Sequence, residues 1–165
     1  MMRPTPDSVG PGQESVWDYP RPAVARPTVA HIRIVHKGIV VADTRGAMRV
    51  LETSHPPQYY LPPSDIADGV MRAAEGSSFC EWKGTARYWD VVVGDFVLEN
   101  VGWSYPNPTP EFSMLRDFVA FYAAPFDSVT VDGEQVVPQP GGFYGGWITS
   151  KVAGPFKGVP GSRTW

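Results

Sequence analysis

The chain has 165 residues, of which 42% are hydrophobic, 13% aromatic and 19% charged, a composition that suits one folded domain rather than general disorder. Its net charge is −3 and no Lys/Arg run interrupts it, which argues against bulk nucleic-acid binding through phosphate neutralisation. A single cysteine, Cys80, and three histidines without HExxH spacing exclude an intramolecular disulfide and a thiolate zinc cluster.

No apolar run approaches the roughly 20 residues of a membrane span, and the N-terminus lacks a signal-peptide core. The expectation is a soluble cytoplasmic protein with no metal and no cofactor. Residues 1–14, rich in Pro, Gly and polar side chains, read as a flexible tail. Residues 15–165 read as one β domain. Its first stretch, "SVWDYPRPAVARP", is an extended arm, because Pro20, Pro22 and Pro27 forbid a helix interior. Trp17 and Tyr19 are its anchors.

"HIRIVHKGIVVAD" reads as a hairpin turning at Lys37-Gly38, and "AMRVLET" as a strand. Alternation in that strand puts Glu52 on the face of Met48 and Val50, where a carboxylate needs a partner or a function. The alternative is that the strand ends before Glu52. His55 follows, and Pro56-Pro57 then stiffen the chain and present Tyr59 and Tyr60. "PSDIADGVMRAAEG" offers a short helix starting at Ser64, weakened by Gly69.

"FCEWKG" gathers Cys80, Trp82 and Lys83 ahead of a strand. Lys83 is a candidate contact for an anionic group, against the alternative of a surface lysine lying over an aromatic ring. Cys80 and His55 are candidates for a nucleophile pair, although a lone cysteine is commonly a small buried hydrophobe.

"ARYWDVVVGDFVLENVGW" reads as a hairpin with a type II′ turn at Gly94-Asp95. A two-residue loop pairs Val93 with Phe96, Val91 with Leu98 and Trp89 with Asn100, which makes that face core. The other face holds Tyr88, Asp90, Val101 and Trp103, with Asp90 directly opposite Glu99, a pair that repels unless solvated or bridged by a cation.

"TPEFSMLRD" predicts one or two helical turns, with Thr109 as N-cap and Pro110 at the first position. "DFVAFY" is a strand, and "SVTVDGEQVV" a hairpin with a type I′ turn at Asp132-Gly133. "PQPGGFYGGWITS" is not a phosphate loop, since no Lys-Ser/Thr follows its glycines and the G-x-G-x-x-G order is absent. It is either a clasp in which Phe143, Tyr144 and Trp147 plug a tight crossing, or a ligand wall. The sum is a mainly β chain of about eight strands, in one compact domain of two antiparallel sheets with one or two short helices.

Several of these stretches, "SVWDYPRP", "RVLETSHPPQYYLPPSDI", "ENVGWSYPNP" and "PQPGGFYGGWITS" among them, together resemble domain-of-unknown-function family 427, catalogued as nucleotidyltransferase-like. The resemblance runs from about Ser15 to the C-terminus. It implies a β-tent (Mss4-like) architecture, shared with zinc-bearing methionine sulfoxide reductases and with the ligand-binding domain of cereblon. The paired zinc cysteines of such relatives have no counterpart here. Nor does the chain contain the D-x-D carboxylates that nucleotidyltransferases use for Mg²⁺, although Gly76-Ser77 is present.

What the resemblance implies is a cleft between sheets, caged by Trp82, Tyr88, Trp103, Tyr105 and Trp147. The expected function is small-molecule binding of a nucleotide-like or planar polar metabolite. Glu52, Lys83 and Tyr88 would fix its polar groups, with His55 and Tyr60 beside them. The alternatives are an enzyme of acyl or phosphoryl-group chemistry, and a non-catalytic interaction module.

Overall fold

The computed structural model describes residues 3–80 and 83–165. The strands are β1 (Glu14–Ser15), β2 (Val24–Pro27), β3 (Ile32–His36), β4 (Ile39–Thr44), β5 (Met48–Leu51) and β6 (Gln58–Leu61). The long hairpins follow as β7 (Met71–Cys80), β8 (Gly84–Val93), β9 (Phe96–Ser104), β10 (Val119–Phe121) and β11 (Ser128–Val131). Four short strands end the chain: β12 (Glu134–Gln135), β13 (Val137–Pro138), β14 (Trp147–Ile148) and β15 (Val152–Ala153). Helical structure among the described residues is limited to 3₁₀ turns at Val16–Asp18, Pro63–Asp65 and Pro110–Leu115.

Two antiparallel sheets carry the fold: a seven-stranded one ordered β2-β5-β6-β10-β9-β8-β7 and a four-stranded one ordered β12-β11-β3-β4. Two small ribbons are added, a parallel β1–β15 pair and an antiparallel β13–β14 pair. All three expected hairpin turns form. Lys37-Gly38 has φ of 49° and 75°, and Asp132-Gly133 has 51° and 81°, the double positive φ of a type I′ turn. At Gly94-Asp95 only the glycine is positive, at 57°, as type II′ requires.

The large sheet has two buried faces, and strand alternation sorts them. Tyr59, Leu61, Val119 and Phe121 point to the main core, where they meet Ile32, Ile34, Val41 and Val129 of the four-stranded sheet. Their neighbours Tyr60 and Ala120 point the other way, into a second cluster with Trp103, Tyr105, Phe112 and Leu115. The 3₁₀ segment Pro110–Leu115 lays Phe112 and Leu115 over this second face. A third cluster ties the arm to the C-terminus, with Trp17 and Tyr19 buried beside Val16 and Val152.

Two expectations need correction. Asp90 does not face Glu99, because the β8–β9 register shifts by a bulge after Val91↔Leu98 and resumes at Trp89↔Gly102. Asn100 sits there at φ 52° and donates its backbone N–H to Asp90 Oδ1 at 2.8 Å, while Arg72 donates to Oδ2 at 3.0 Å. These donors, the amide first, hold the Asp90 carboxyl below its usual range. The same bulge moves Val101 into the main core.

The helix at Ser64 is a single 3₁₀ turn, and the chain beyond Gly69 (φ 77°) is the edge strand β7 rather than helix. Residues 3–14 touch the rest of the chain at several points. Asp7 N–H donates to the Gly154 carbonyl, Gln13 to the Ser150 carbonyl, and Arg3 packs over the Trp17 ring. No helix among the described residues is long and apolar enough to cross a membrane.

Candidate functional site

The second face of the large sheet opens into a cavity of about 320 Å³, large enough for a small ligand. Its floor is built by strand pairing: Tyr88 of β8 lies directly opposite Trp103 of β9, and Tyr105 continues the row. Trp103 donates its indole N–H to Tyr60 Oη at 3.1 Å and packs on Tyr122 with ring centroids 4.8 Å apart. Tyr88 donates to Ser78 Oγ at 2.6 Å. The roof is the glycine-rich segment, where Phe143, Tyr144 and Gly145 close over the floor. A Cβ on Gly145 would collide with the Trp103 ring, so only glycine lets this backbone lie against the indole.

One end of the cavity is formed by the turn after β5. The strand does stop before Glu52, and His55 N–H closes the turn on the Glu52 carbonyl at 3.0 Å. Ser54 takes φ 74° there, held between the Val16 carbonyl and Lys157 N–H. Arm and C-terminal segment thus clamp the turn that presents Glu52 and His55.

The charges at this end are unbalanced. Lys83, 7% exposed, lines the cavity. Its ammonium lies 5.9 Å from the Tyr105 ring centroid and 5.8 Å from that of Phe112. Among the described residues no carboxylate pairs with it within salt-bridge distance. Lys157 joins it from the C-terminal segment, its ammonium 5.7 Å from the Tyr144 ring. Glu52 lies 3.7 Å from Arg21 and 3.5 Å from His55. Burial raises the Glu52 carboxyl above its usual range, opposed by Lys83, Arg21 and Lys157. Burial also lowers His55 to about 4, helped by Lys157, Arg21 and Lys83. At neutral pH the imidazole is therefore uncharged and the cavity carries more positive than negative charge.

Of the residues expected at a ligand, Glu52, His55, Lys83, Tyr88, Trp103 and Tyr105 meet in this one cavity. Cys80 lines it as well, half-buried. Trp82 lies outside the described residues. Tyr60 is fully buried behind the wall, where it supports Trp103. Trp147 is a correction: it is 1% exposed in the main core, stacked on Tyr59 at 5.2 Å, with its N–H on the Phe121 carbonyl. Tyr122 and Lys157, which were not expected at a ligand, complete the cavity with Tyr144 from the segment read as either clasp or ligand wall. Each is brought there by pairing or crossing over long sequence separation, and the only local signal was aromatic and basic residues bordering glycine or a strand end.

Among the described residues no group of three or more His, Cys, Asp or Glu side chains could hold a metal ion. A family model described as domain of unknown function DUF427 matches residues 24–132, which span β2 through β11 and include Glu52, His55, Lys83, Tyr88, Trp103 and Tyr105. No curated protein matches the chain.

Proposed function

The chain belongs to the DUF427 family, whose description assigns no activity, and we propose that this protein is a small-molecule-binding domain for a planar, anionic metabolite such as a nucleotide-like ring. The observation that carries this reading is Lys83, a buried cation without a carboxylate partner among the described residues, set in a wall of tyrosine and tryptophan. An anionic group on the ligand would pair with it through a charge-assisted contact, with Lys157, whose ammonium also donates to the Trp165 carbonyl at 3.3 Å, as the second cation. The ring would lie against Trp103, Tyr88 and Tyr105, where base–aromatic stacking contributes roughly 1–3 kcal/mol per ring. A cytoplasmic location belongs to the same reading, since the lone Cys80 thiol asks for no oxidising compartment.

A thermal-shift screen with nucleoside monophosphates and aromatic carboxylates tests it. A true ligand at 100 times its Kd stabilises the fold by about 2.7 kcal/mol. At the same ligand concentration that stabilisation should fall to about 1.4 kcal/mol or less in Lys83→Met. Equal stabilisation of wild type and variant would refute the site.

A further inference from the structure

Behind the cavity wall lies a hydrogen-bonded chain in which every donor and acceptor is forced. Gln139, 3% exposed, stands between two backbone groups that cannot exchange roles. Its Oε1 accepts the Gly146 N–H at 3.0 Å, and its Nε2 donates to the Lys157 carbonyl at 2.9 Å. These two bonds fix which end of the amide is which. The remaining Nε2 hydrogen faces His55 Nδ1 at 3.0 Å. Nδ1 must therefore accept, and a neutral ring carries its proton on Nε2. That nitrogen lies 3.5 Å from Glu52 Oε2, and both residues line the cavity.

We infer that Glu52 is a general base toward a ligand held in this cavity, with His55 and Gln139 as the residues that position it. The inference rests on the binding reading above and adds an activity to it. The substrate class is a planar ring compound with an abstractable proton and a site for developing negative charge. Glu52 takes the proton, the electron pair stays with the ligand, and the resulting anion faces the Lys83 ammonium. His55 does not compete for the proton, because a second ring N–H would be driven against the Gln139 amide hydrogen. The groups facing Glu52 are Arg21 from the arm, His55 from its own turn, Lys83 from the β7–β8 connection and Lys157 from the C-terminal segment.

5-Nitrobenzisoxazole is a suitable probe because it is flat, small and opened by proton removal alone. A base takes the C3 hydrogen, that electron pair completes a nitrile, and the N–O bond breaks to leave a coloured phenolate. The wild-type protein should turn it over with saturation, above the rate given by free acetate. Glu52→Gln should lower kcat by about 100-fold, the scale of general-base catalysis, with KM little changed. The rate should rise with pH as Glu52 ionises. Nitrogen-15 spectra of the ligand-free protein should show His55 protonated at Nε2 and bare at Nδ1. Gln139→Met should mix the two tautomers and displace the pH profile. If that variant does not fold, the wild-type ring spectrum decides the positioning claim alone.

Saturable binding with equal turnover by wild type and Glu52→Gln, or with none above acetate, would overturn the general base while leaving the binding reading standing. A His55 ring protonated at Nδ1 would overturn the positioning chain. Absence of saturable turnover of this neutral probe would overturn the general base, while the binding reading stands or falls on the anions of the thermal-shift screen.

Discussion

Trp147 and Trp103 pack against opposite faces of the same sheet, and they show what separates a core from a site. Trp147 is surrounded by Tyr59, Phe121 and aliphatic side chains, and its N–H is spent on a backbone carbonyl. Trp103 has a similar burial, 7% against 1%. Its surroundings differ: a tyrosine hydroxyl takes its N–H, glycine lies on its ring, and Lys83, Glu52 and His55 share its cavity. Aromatic content alone does not mark a ligand cage. What distinguishes the second face is that polar groups gather there beside aromatic rings around a cavity.

The contrast is broken first by truncating the core tryptophan. Trp147→Ala should cost about 3–5 kcal/mol in denaturant unfolding, a large part of a typical 5–15 kcal/mol total. If it proved neutral while ligand binding vanished, the assignment of the two faces would be reversed.

The next effect is a pH dependence confined to the site. His55 is held near 4 in the folded chain against 6.5 when free, so the unfolded chain binds the extra proton between those values. Its contribution is complete above about pH 6.5 and is lost as pH falls toward 4, amounting to about 3 kcal/mol across the window. Glu52 shifts the opposite way, so the clean measurement compares wild type with His55→Gln. The variant should be less sensitive to acid. Parallel curves would place His55 outside the buried network.

Lys83→Met then separates function from stability. Loss of a charge-assisted contact of about 1.5–3 kcal/mol weakens binding of an anionic ligand by roughly 10- to 150-fold, with the urea midpoint unchanged or raised. A lower midpoint with intact binding would make Lys83 structural. The smallest effect belongs to the roof, where Tyr122 donates to the Phe143 carbonyl at 3.1 Å. Tyr122→Phe should cost about 0.5–1.5 kcal/mol, seen as faster hydrogen exchange in residues 141–146 and not in β3 or β11.

Much of the sheet could be read from the sequence because its determinants are local. The turns at Lys37-Gly38, Gly94-Asp95 and Asp132-Gly133 depend on the residues within them, and "AMRVLET" and "DFVAFY" read as strands from their own apolar residues. Six residues that line the candidate site were legible: Glu52, His55 and Lys83 because they stood beside aromatic or apolar neighbours, and Tyr88, Trp103 and Tyr105 as clustered aromatics. What stayed hidden was set by distant contacts. The Asn100 bulge is stabilised by Asp90 and repairs a repulsion that simple pairing would have forced. Trp147 reads as a cage residue in sequence, but beyond the crossing at Gly145 and Gly146 it lies on the other face of the sheet, in the main core beside Tyr59. Gln139 gave no signal, since its role depends on the Lys157 carbonyl and the Gly146 amide, which its neighbours in sequence do not reveal.

The indole N–H signals of Trp103 and Trp147, two of the six tryptophans, give the most direct test of the central claim in a nitrogen-15 correlation spectrum. On titration with the strongest binder among the nucleoside monophosphates and aromatic carboxylates, the Trp103 signal should move and the Trp147 signal should stay in place. A shifted Trp147 beside a stationary Trp103 would contradict the assignment of the ligand site to this face of the sheet.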